Sequence, residues 1–361
     1  MEKKSSFTLG KPFGIKVSVH WTFSLLIAYV IFISVSRGLT IVPVLMHVAF
    51  ILALFLCVVL HELGHSLVAM KFGGKVNSIT LLPIGGMANM SEMPEKPREE
   101  FLVSAAGPLV NIVIAATIWL YLSFFGGIDI EELEYEYITA DNFIIVLFAA
   151  NLFIVAFNLI PAFPMDGGRL FRSALSIWMN RLKATRIAKN IGQIFAVIFI
   201  LAGLFYNPFL ILIGFFVFLG ARGEYEMVKY GDILNNYTVK DLVITKYTGL
   251  DENDTLNQAA EKLAHRQDSG FVIRSNGEYK GLLTKNDLIN GLNHLGREGK
   301  IKDAMEGDAE TIAPDMTLFD AYKAMQKNKW DMIAVMDDGK FKGILSLENI
   351  HEFFLIKKAM R

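Results

Sequence analysis

The chain has 361 residues, which is enough for two domains of ordinary size. Its formal net charge is −1, so nothing in its charge predicts a nucleic-acid partner. A single cysteine, Cys57, excludes an internal disulfide and lies in an apolar run, which is typical of a small buried side chain. Hydrophobic residues make up 53% of the chain and are concentrated before about Gly220. The composition therefore separates an apolar first part from a charged second part.

Six apolar segments in the first part are candidates for membrane-spanning helices, since a spanning helix needs about 20 mostly apolar residues. They comprise residues 19–35, 42–70, 101–125, 143–159, 187–205 and 209–219. The last is short for a span. The N-terminal residues lack the short apolar core and cleavage site of a signal peptide, so the first segment is predicted to be retained.

Basic residues are distributed unequally between the loops, and lysine and arginine collect on the cytoplasmic side of membrane proteins. They cluster before the first segment, between the second and third, between the fourth and fifth, and after the sixth. Residues 126–141 and 206–208 contain none, and Arg37 is the exception among the alternate loops. The pattern predicts a multi-pass protein of the plasma membrane with both termini and the C-terminal domain in the cytoplasm.

The second apolar segment contains an H-E-x-x-H sequence formed by His61, Glu62 and His65. Residues four apart share a helix face, so the two imidazoles can bind one metal ion. Glu62 is placed to act as a general base that takes a proton from water. This short sequence also occurs by chance, but an ionised group at the centre of a bilayer costs about 2.5–3.5 kcal/mol. Metal binding would compensate that cost, so a metal centre is favoured.

A third metal ligand is expected from another segment, because catalytic zinc uses three protein ligands and one open position. Pro161 and Pro164 interrupt the fourth apolar segment, and irregular backbone at membrane depth is tolerated only where it lines a cavity or is buried in protein. Asp166 follows this break, and Gly167 and Gly168 permit close backbone approach. Asp166 is either the third ligand or the N-cap of the next helix. The need for a third ligand favours the first role.

The H-E-x-x-H sequence and the Asn-x-x-Pro-x-x-Pro-x-Asp-Gly sequence of residues 158–167 resemble the site-2 protease family of intramembrane zinc metalloproteases. The resemblance extends to the prokaryotic branch that carries a C-terminal pair of cystathionine-β-synthase (CBS) motifs, and it covers nearly the whole chain. It implies an endopeptidase that cuts membrane-protein substrates in or near their transmembrane segments. By this resemblance the enzyme is embedded in the lipid bilayer.

The resemblance also assigns roles to residues. It implies one zinc ion per chain, bound by His61, His65 and Asp166, with Glu62 as the catalytic base. Asn158 matches the asparagine of the family's second motif, which implies a hydrogen bond to the substrate backbone or to the developing oxyanion.

Two further segments carry candidate functional residues. Residues 77–90 are predicted to form short strands around Gly85 and Gly86, and in the family that it resembles this region forms a hairpin near the active site. An exposed strand edge could pair with an extended substrate, which makes both glycines candidate substrate-binding residues; a plain re-entrant loop is the alternative. Asn111, inside the third segment, either orients a metal ligand or binds a neighbouring helix.

The second part of the chain repeats itself with an offset of 62 residues. The sequence from Thr238 returns at Lys300, that from Thr255 at Thr317, and that from residue 280 at residue 342. Each copy combines amphipathic helices with short strands, and the pair resembles a tandem CBS module, also called a Bateman module. Such modules commonly form dimers, so a homodimer through this domain is predicted.

Many CBS pairs bind adenine nucleotides through a Ser or Thr followed three residues later by Asp. By this resemblance Thr284 and Asp287 are expected to bind ATP, ADP or AMP as a regulatory ligand. The second repeat has Ser346 and Asn349 at these positions, so the expectation is one bound nucleotide. A purely structural or dimerising module is the alternative.

The predicted fold class is a polytopic α-helical membrane domain of about six transmembrane helices followed by a cytoplasmic α+β tandem CBS module. The expected domains are a membrane metalloprotease domain at 1–222, a linker at 223–237, and CBS repeats at 238–296 and 297–361.

Two other functions remain to be separated from proteolysis. A CBS-gated transporter or channel would explain the spans, but not H-E-x-x-H paired with a broken span, and the spans show no internal repeat of the transporter type. A catalytically silent scaffold conflicts with the intact Glu62.

Overall fold

The computed structural model describes residues 6–83, 85–92, 94–126, 137–264, 270–305 and 310–360. It divides into two compact units, Met1–Tyr225 and Glu226–Arg361. The strands and helices that begin in the first unit are β1 Ser6–Gly10, β2 Lys16–His20, α1 Phe23–Ser36, α2 Ile41–Lys71, β3 Lys75–Leu82, β4 Gly85–Glu92, α3 Pro97–Tyr121, α4 Phe143–Asn158, α5 Asp166–Leu175, α6 Arg181–Phe205 and α7 Phe209–Leu234.

The six apolar segments are all largely helical, and three helices among the described residues have the length and composition to cross a membrane. These three are Ile41–Lys71, Pro97–Phe125 and Arg181–Phe205. Helices α1 and α4 are apolar but shorter, with 14 and 16 residues. The first unit is therefore a helical membrane unit with three identified candidate spans.

A four-stranded sheet in the order β1-β2-β3-β4 accompanies these helices. Strands β2 and β3 are parallel, and the other two pairs are antiparallel. Strands β1 and β2 are absent from the sequence-based expectation: Val19, assigned there to the first span, pairs with Leu81, and α1 begins at Phe23. Polar and apolar residues alternate in β2 with the period of a strand. The strand is followed directly by an apolar run, so the sequence pattern alone does not separate the two.

One face of this sheet packs on α1 and α2. Because alternate residues of a strand share a face, Val17 of β2 lies beside Ile79 and Leu81 of β3. These side chains form a buried cluster with Ile15 and with residues of the two helices, Phe23, Phe55, Val59 and Leu63. The packing holds the β3–β4 hairpin against the helix that contains the H-E-x-x-H sequence.

A buried ionic cluster joins α3, α5 and α7. Arg172 of α5 is 1% exposed and donates from Nε and Nη2 to Glu100 of α3, with the Nε bond at 2.9 Å. Its Nη1 donates to Glu224 of α7 at 2.6 Å. Removing one partner of a buried pair leaves a buried charge uncompensated, which costs about 3–5 kcal/mol. The cluster therefore fixes α5 against α3.

The second unit contains the same arrangement twice. Its elements are β5 Gly249–Asp251, α8 Leu256–Ala264, β6 Gly270–Ser275, β7 Glu278–Thr284, α9 Lys285–Leu295, α10 Ile301–Ala304, β8 Thr311–Ile312, α11 Leu318–Asn328, β9 Met332–Asp337, β10 Lys340–Ser346 and α12 Leu347–Ala359. In the first half, β5 pairs in parallel with β6, and β6 pairs antiparallel with β7. In the second half, β8 pairs in parallel with β9, and β9 pairs antiparallel with β10.

The two halves share a core between their sheets. Tyr279 of β7 and Phe341 of β10 occupy equivalent positions of the repeat, and their rings stack with centroids 4.5 Å apart. Beneath them a buried cluster takes side chains from both sheets, including Val272 and Ile344. The repeat seen in the sequence therefore folds as one α+β pair.

Candidate metal centre

His61 and His65 lie on α2 where it packs against α3. The helices approach closely because glycines occupy the contact: a Cβ on Gly64 would lie 2.9 Å from the carbonyl oxygen of Ala106, and one on Gly107 would lie 2.7 Å from Nε2 of His61. Small residues permit such close helix packing in membranes. Both imidazoles are consequently buried, at 5% and 6% exposure.

Asp166 reaches the same place from the break after α4. Proline cannot continue a helix, so the chain turns through Pro161 and Pro164 before α5 begins at Asp166. The turn lies directly on the first residues of α5, where a Cβ on Gly168 would stand 2.6 Å from the backbone nitrogen of Phe163. The absence of a side chain there lets the carboxylate meet α2.

Three side-chain atoms converge within hydrogen-bonding distance of one another. Nε2 of His61, Nε2 of His65 and Oδ2 of Asp166 are separated pairwise by 3.1 Å. On the other side of each ring, Nδ1 of His65 donates to the carbonyl oxygen of Val103 at 2.7 Å, and Nδ1 of His61 lies 2.6 Å from Oδ1 of Asn111. When each neutral ring has its proton on Nδ1, both Nε2 atoms present lone pairs.

This donor set fits a zinc ion. Two imidazole lone pairs and a carboxylate oxygen repel one another at 3.1 Å unless a cation or a shared proton lies among them. Tetrahedral ligands about 2.0–2.1 Å from zinc lie about 3.3 Å apart, close to the separation found. Three protein ligands also leave one position open, as catalytic zinc sites do.

Buried asparagines extend the contact of His61 across three helices. Asn111 donates from Nδ2 to Oδ1 of Asn151 on α4 at 2.8 Å, and Asn151 donates to the carbonyl of Leu147 at 2.9 Å. Both asparagines are 0% exposed. Asn111 therefore fills both roles that the sequence left open, since it orients an imidazole and binds a neighbouring helix.

A cavity of about 540 Å³ lies beside the cluster. Its lining includes Glu62, His65, Asp166, Gly85 and Gly86. Strand β4 borders this cavity and pairs only with β3 in the described sheet, so its other edge is unpaired. A Cβ on Gly86 would lie 2.7 Å from Cγ of Glu62, which shows how closely the strand approaches the glutamate.

Asn158 is placed differently from the other candidate residues of this unit. Its Nδ2 donates to the carbonyl of Ile154 in its own helix at 3.0 Å, and it is absent from the described lining of the cavity. The structure thus brings the remaining candidates together without Asn158.

Asn151 and Ser104 also lie near the cluster; the sequence did not single out Asn151, and it indicated Ser104 only as a small residue that permits close helix packing. A polar residue inside an apolar segment indicates a possible functional or packing role, but the sequence does not show which helix the residue faces.

In the second unit, Thr284 and Asp287 form the N-terminal cap of α9. The backbone nitrogen and Oγ1 of Thr284 both donate to Oδ2 of Asp287, at 3.0 and 2.6 Å. Both residues, together with Trp330, line a cavity of about 160 Å³. Ser346 and Asn349 make the corresponding cap on α12, where the nitrogen of Asn349 donates to Ser346 Oγ at 3.2 Å.

Apolar helices that bring two histidines and an aspartate together beside a glutamate define a metal-dependent hydrolase of the membrane. Comparison with known proteins specifies the class. The family model described as peptidase family M50 matches residues 49–136 and 125–203, and that described as CBS domain matches 239–294 and 301–355.

A zinc metalloprotease of Methanocaldococcus jannaschii is 35% identical over 347 residues, which cover 96% of this chain and 95% of the relative. A putative zinc metalloprotease of Synechocystis is 29% identical over 317 residues, covering 83% and 80%. The solved site-2 protease from Methanocaldococcus jannaschii is 40% identical, covers 61% of this chain and 95% of that one, and gives a TM-score of 0.45. The chain belongs to peptidase family M50, the site-2 proteases, and it is a membrane metalloprotease with a tandem CBS module.

Replacement of Asn111 by leucine is expected to weaken zinc binding by about 10- to 100-fold, because the acceptor that orients His61 is lost while side-chain size is kept. Competition with a chromophoric chelator in detergent measures the affinity. Asn158→Leu is the matched control, since among the described residues that amide bonds within its own helix, and the zinc affinity of this variant should stay unchanged. Equal affinities for both variants would contradict an orienting role for Asn111.

Proposed function

We propose that the protein is a zinc-dependent intramembrane endopeptidase that hydrolyses peptide bonds in or near transmembrane segments of membrane proteins. The observation that carries the proposal is the cluster of His61, His65 and Asp166 at the wall of a cavity that also contains Glu62. Its placement on helices α2 and α5 of an apolar unit, together with membership of the M50 family, supports a membrane-protein substrate.

The residues of the chain divide the chemical work. His61, His65 and Asp166 would hold the zinc ion, which when bound polarises a peptide carbonyl and acidifies water. Glu62 accepts a proton from the attacking water and then delivers it to the departing amine. The apolar helices around the cavity restrict bulk water, so these polar groups act in a medium of low dielectric constant.

Strand β4 is the proposed binding edge for the substrate. A peptide bond in a helix is shielded by its own hydrogen bonds, so the substrate must be extended before it is cut. The unpaired edge of β4 would supply backbone hydrogen bonds to such a segment, as in other cases of strand addition. The missing side chain of Gly86 lets β4 lie directly against Glu62, and Gly85 lines the same cavity, so a strand added at this edge would lie near the proposed base.

Glu62→Gln is expected to abolish cleavage of a single-span test protein with a leucine- and alanine-rich transmembrane segment, because an amide cannot accept the proton from water. Bound zinc should stay at one per chain, since Glu62 is not among the three clustered ligands. Gel analysis of the cleavage products in detergent and elemental analysis of the protein measure the two properties.

Asp166→Ala is the complementary variant, which should lose both cleavage and most of the zinc. A Glu62→Gln protein that still cuts the test substrate would contradict the proposal and favour the transporter or the scaffold.

We also propose that all six apolar helices cross the membrane and that both termini and the CBS pair lie in the cytoplasm. The distribution of lysine and arginine between the loops supports this orientation. The short helices α1 and α4 can cross where the membrane thins locally or flanking residues extend to its surface.

The proposed orientation predicts that two single-cysteine variants, with the cysteine on opposite sides of the membrane, differ in their accessibility to a membrane-impermeant reagent. In sealed right-side-out vesicles, a membrane-impermeant maleimide should react with Asp141→Cys, and should react with Lys183→Cys only after permeabilisation. Both positions are exposed, and the native Cys57 is buried, which keeps the background low. Labelling of Lys183→Cys in intact vesicles would contradict the proposed orientation.

The cavity at Thr284 and Asp287 is the proposed site for one adenine nucleotide that modulates the protease. Asp287 can offer its second carboxylate oxygen to ribose hydroxyls, and Trp330 offers an aromatic face. Within the described residues, the lining includes Asp287, Glu310 and Asp331 and one cation, Lys329. This acidic balance favours ligands with few phosphates over ATP. A homodimer through the same module stays a prediction.

Calorimetry of the full chain should give tighter binding for adenosine or AMP than for ATP, because each phosphate adds negative charge beside three carboxylates. Asp287→Ala should abolish binding. Asn349→Ala is the matched control, since it removes the equivalent helix cap in the second repeat and should leave binding unchanged. The absence of heat with all three compounds at millimolar concentration would exclude the site.

A further inference from the structure

Ser104 occupies a special position in the wall of the active-site cavity. It lies on α3, three residues before Gly107, whose missing Cβ would contact Nε2 of both His61 and His65. Residues three apart lie on the same helix face with Cβ atoms about 5–6 Å apart. Ser104 also belongs to the lining that contains Glu62. Ser104 therefore lies one helix turn from the point where α3 contacts the two imidazoles.

The hydroxyl of Ser104 has no hydrogen-bond partner among the described residues, although the residue is only 1% exposed. Helical Ser and Thr residues usually donate to the carbonyl four residues earlier. Several residues of this unit make that bond, namely Ser34 to Val30, Thr117 to Val113, Ser123 to Trp119, Ser176 to Arg172 and Thr185 to Arg181. Ser104 does not, so its buried hydroxyl would break no described hydrogen bond in order to donate to a group that reaches it from the cavity.

The other polar side chains that line this cavity, within the described part of the chain, have roles or partners. Glu62 is the proposed base, and His65 and Asp166 belong to the metal cluster. Arg169 has an interaction of its own. Ser104 remains as the unassigned donor. A buried polar group without a partner in a native structure calls for an explanation, and a substrate group that completes the bond supplies one.

We propose that Ser104 is a catalytic residue whose hydroxyl donates a hydrogen bond to the oxygen of the scissile carbonyl. The proposal rests on the proposed function. The hydroxyl keeps its proton throughout and stabilises the negative charge that develops on this oxygen. The family resemblance implied for Asn158 either this role or a hydrogen bond to the substrate backbone, and the amide of Asn158 bonds within its own helix.

Ser104→Ala is expected to lower kcat for the single-span test protein by about 100-fold with little change in KM, as loss of one donor to an oxyanion does. Binding of a phosphinic peptide, whose tetrahedral phosphorus copies the reacting carbon, should weaken by a similar factor in calorimetry. Zinc should remain at one per chain, and the thermal unfolding midpoint should not fall, since the alanine removes a buried hydroxyl that has no partner.

Ser66→Ala is the matched control. Ser66 is 0% exposed, its hydroxyl also lacks a described partner, and it is absent from the described lining of the cavity. This variant should keep the kcat and the phosphinic-peptide affinity of the unaltered protein.

The outcomes distinguish failure of the role proposed for Ser104 from failure of the proposed protease function. Ser104→Ala with unchanged kcat and unchanged phosphinic-peptide affinity would overturn the role of Ser104 while the protease assignment stands. Loss of zinc in Ser104→Ala would overturn it as well, because the serine would then support the metal cluster. An unaltered protein that binds zinc but neither cuts the test protein nor binds the phosphinic peptide would reject the proposed function, and the role of Ser104 with it.

Discussion

The meeting of two imidazole nitrogens with one carboxylate oxygen is the constraint on which the first unit depends. Each atom lies 3.1 Å from the other two, an arrangement that three lone-pair donors hold only around a cation or a shared proton. The surrounding helices are built to maintain it. Val103 and Asn111 of α3 fix the far side of each ring, and the glycine contact between α2 and α3 removes the space in which the rings could turn.

The aspartate needs a different support, because its backbone lies outside a continuous span. The turn before α5 packs on glycines at the helix start, and Arg172, six residues after Asp166, is bound by Glu100 and Glu224. Glu100 belongs to the same α3 that carries Val103 and Asn111. Helix α3 therefore supports both the histidine ligands and the aspartate ligand of the metal cluster. Glu100 supports the aspartate through Arg172, and Val103 and Asn111 support the two imidazoles.

The sheet gives this centre an edge for an extended substrate. Strands β1 and β2, which precede α1 in the sequence, extend the β3–β4 hairpin to four strands and anchor it on α1 and α2 through buried apolar side chains. A two-stranded hairpin alone is marginally stable, whereas the anchored sheet can present β4 in a fixed place. The glutamate and the strand edge are then held at one cavity by the same packing.

The sequence by itself determined the ligand types, the break that carries Asp166, and the repeat of the second unit, because each is a local pattern with its own period or spacing. It also predicted most ends of the apolar helices to within a few residues. Tertiary structure alone decided the contacts between helices: which carbonyl meets His65, why Ser104 rather than Asn158 lines the cavity, and that Val19 continues a strand. Polar side chains in an apolar helix have no periodic signal for their partners. Their direction follows from how neighbouring helices rotate and approach, and this depends on residues far away in the chain.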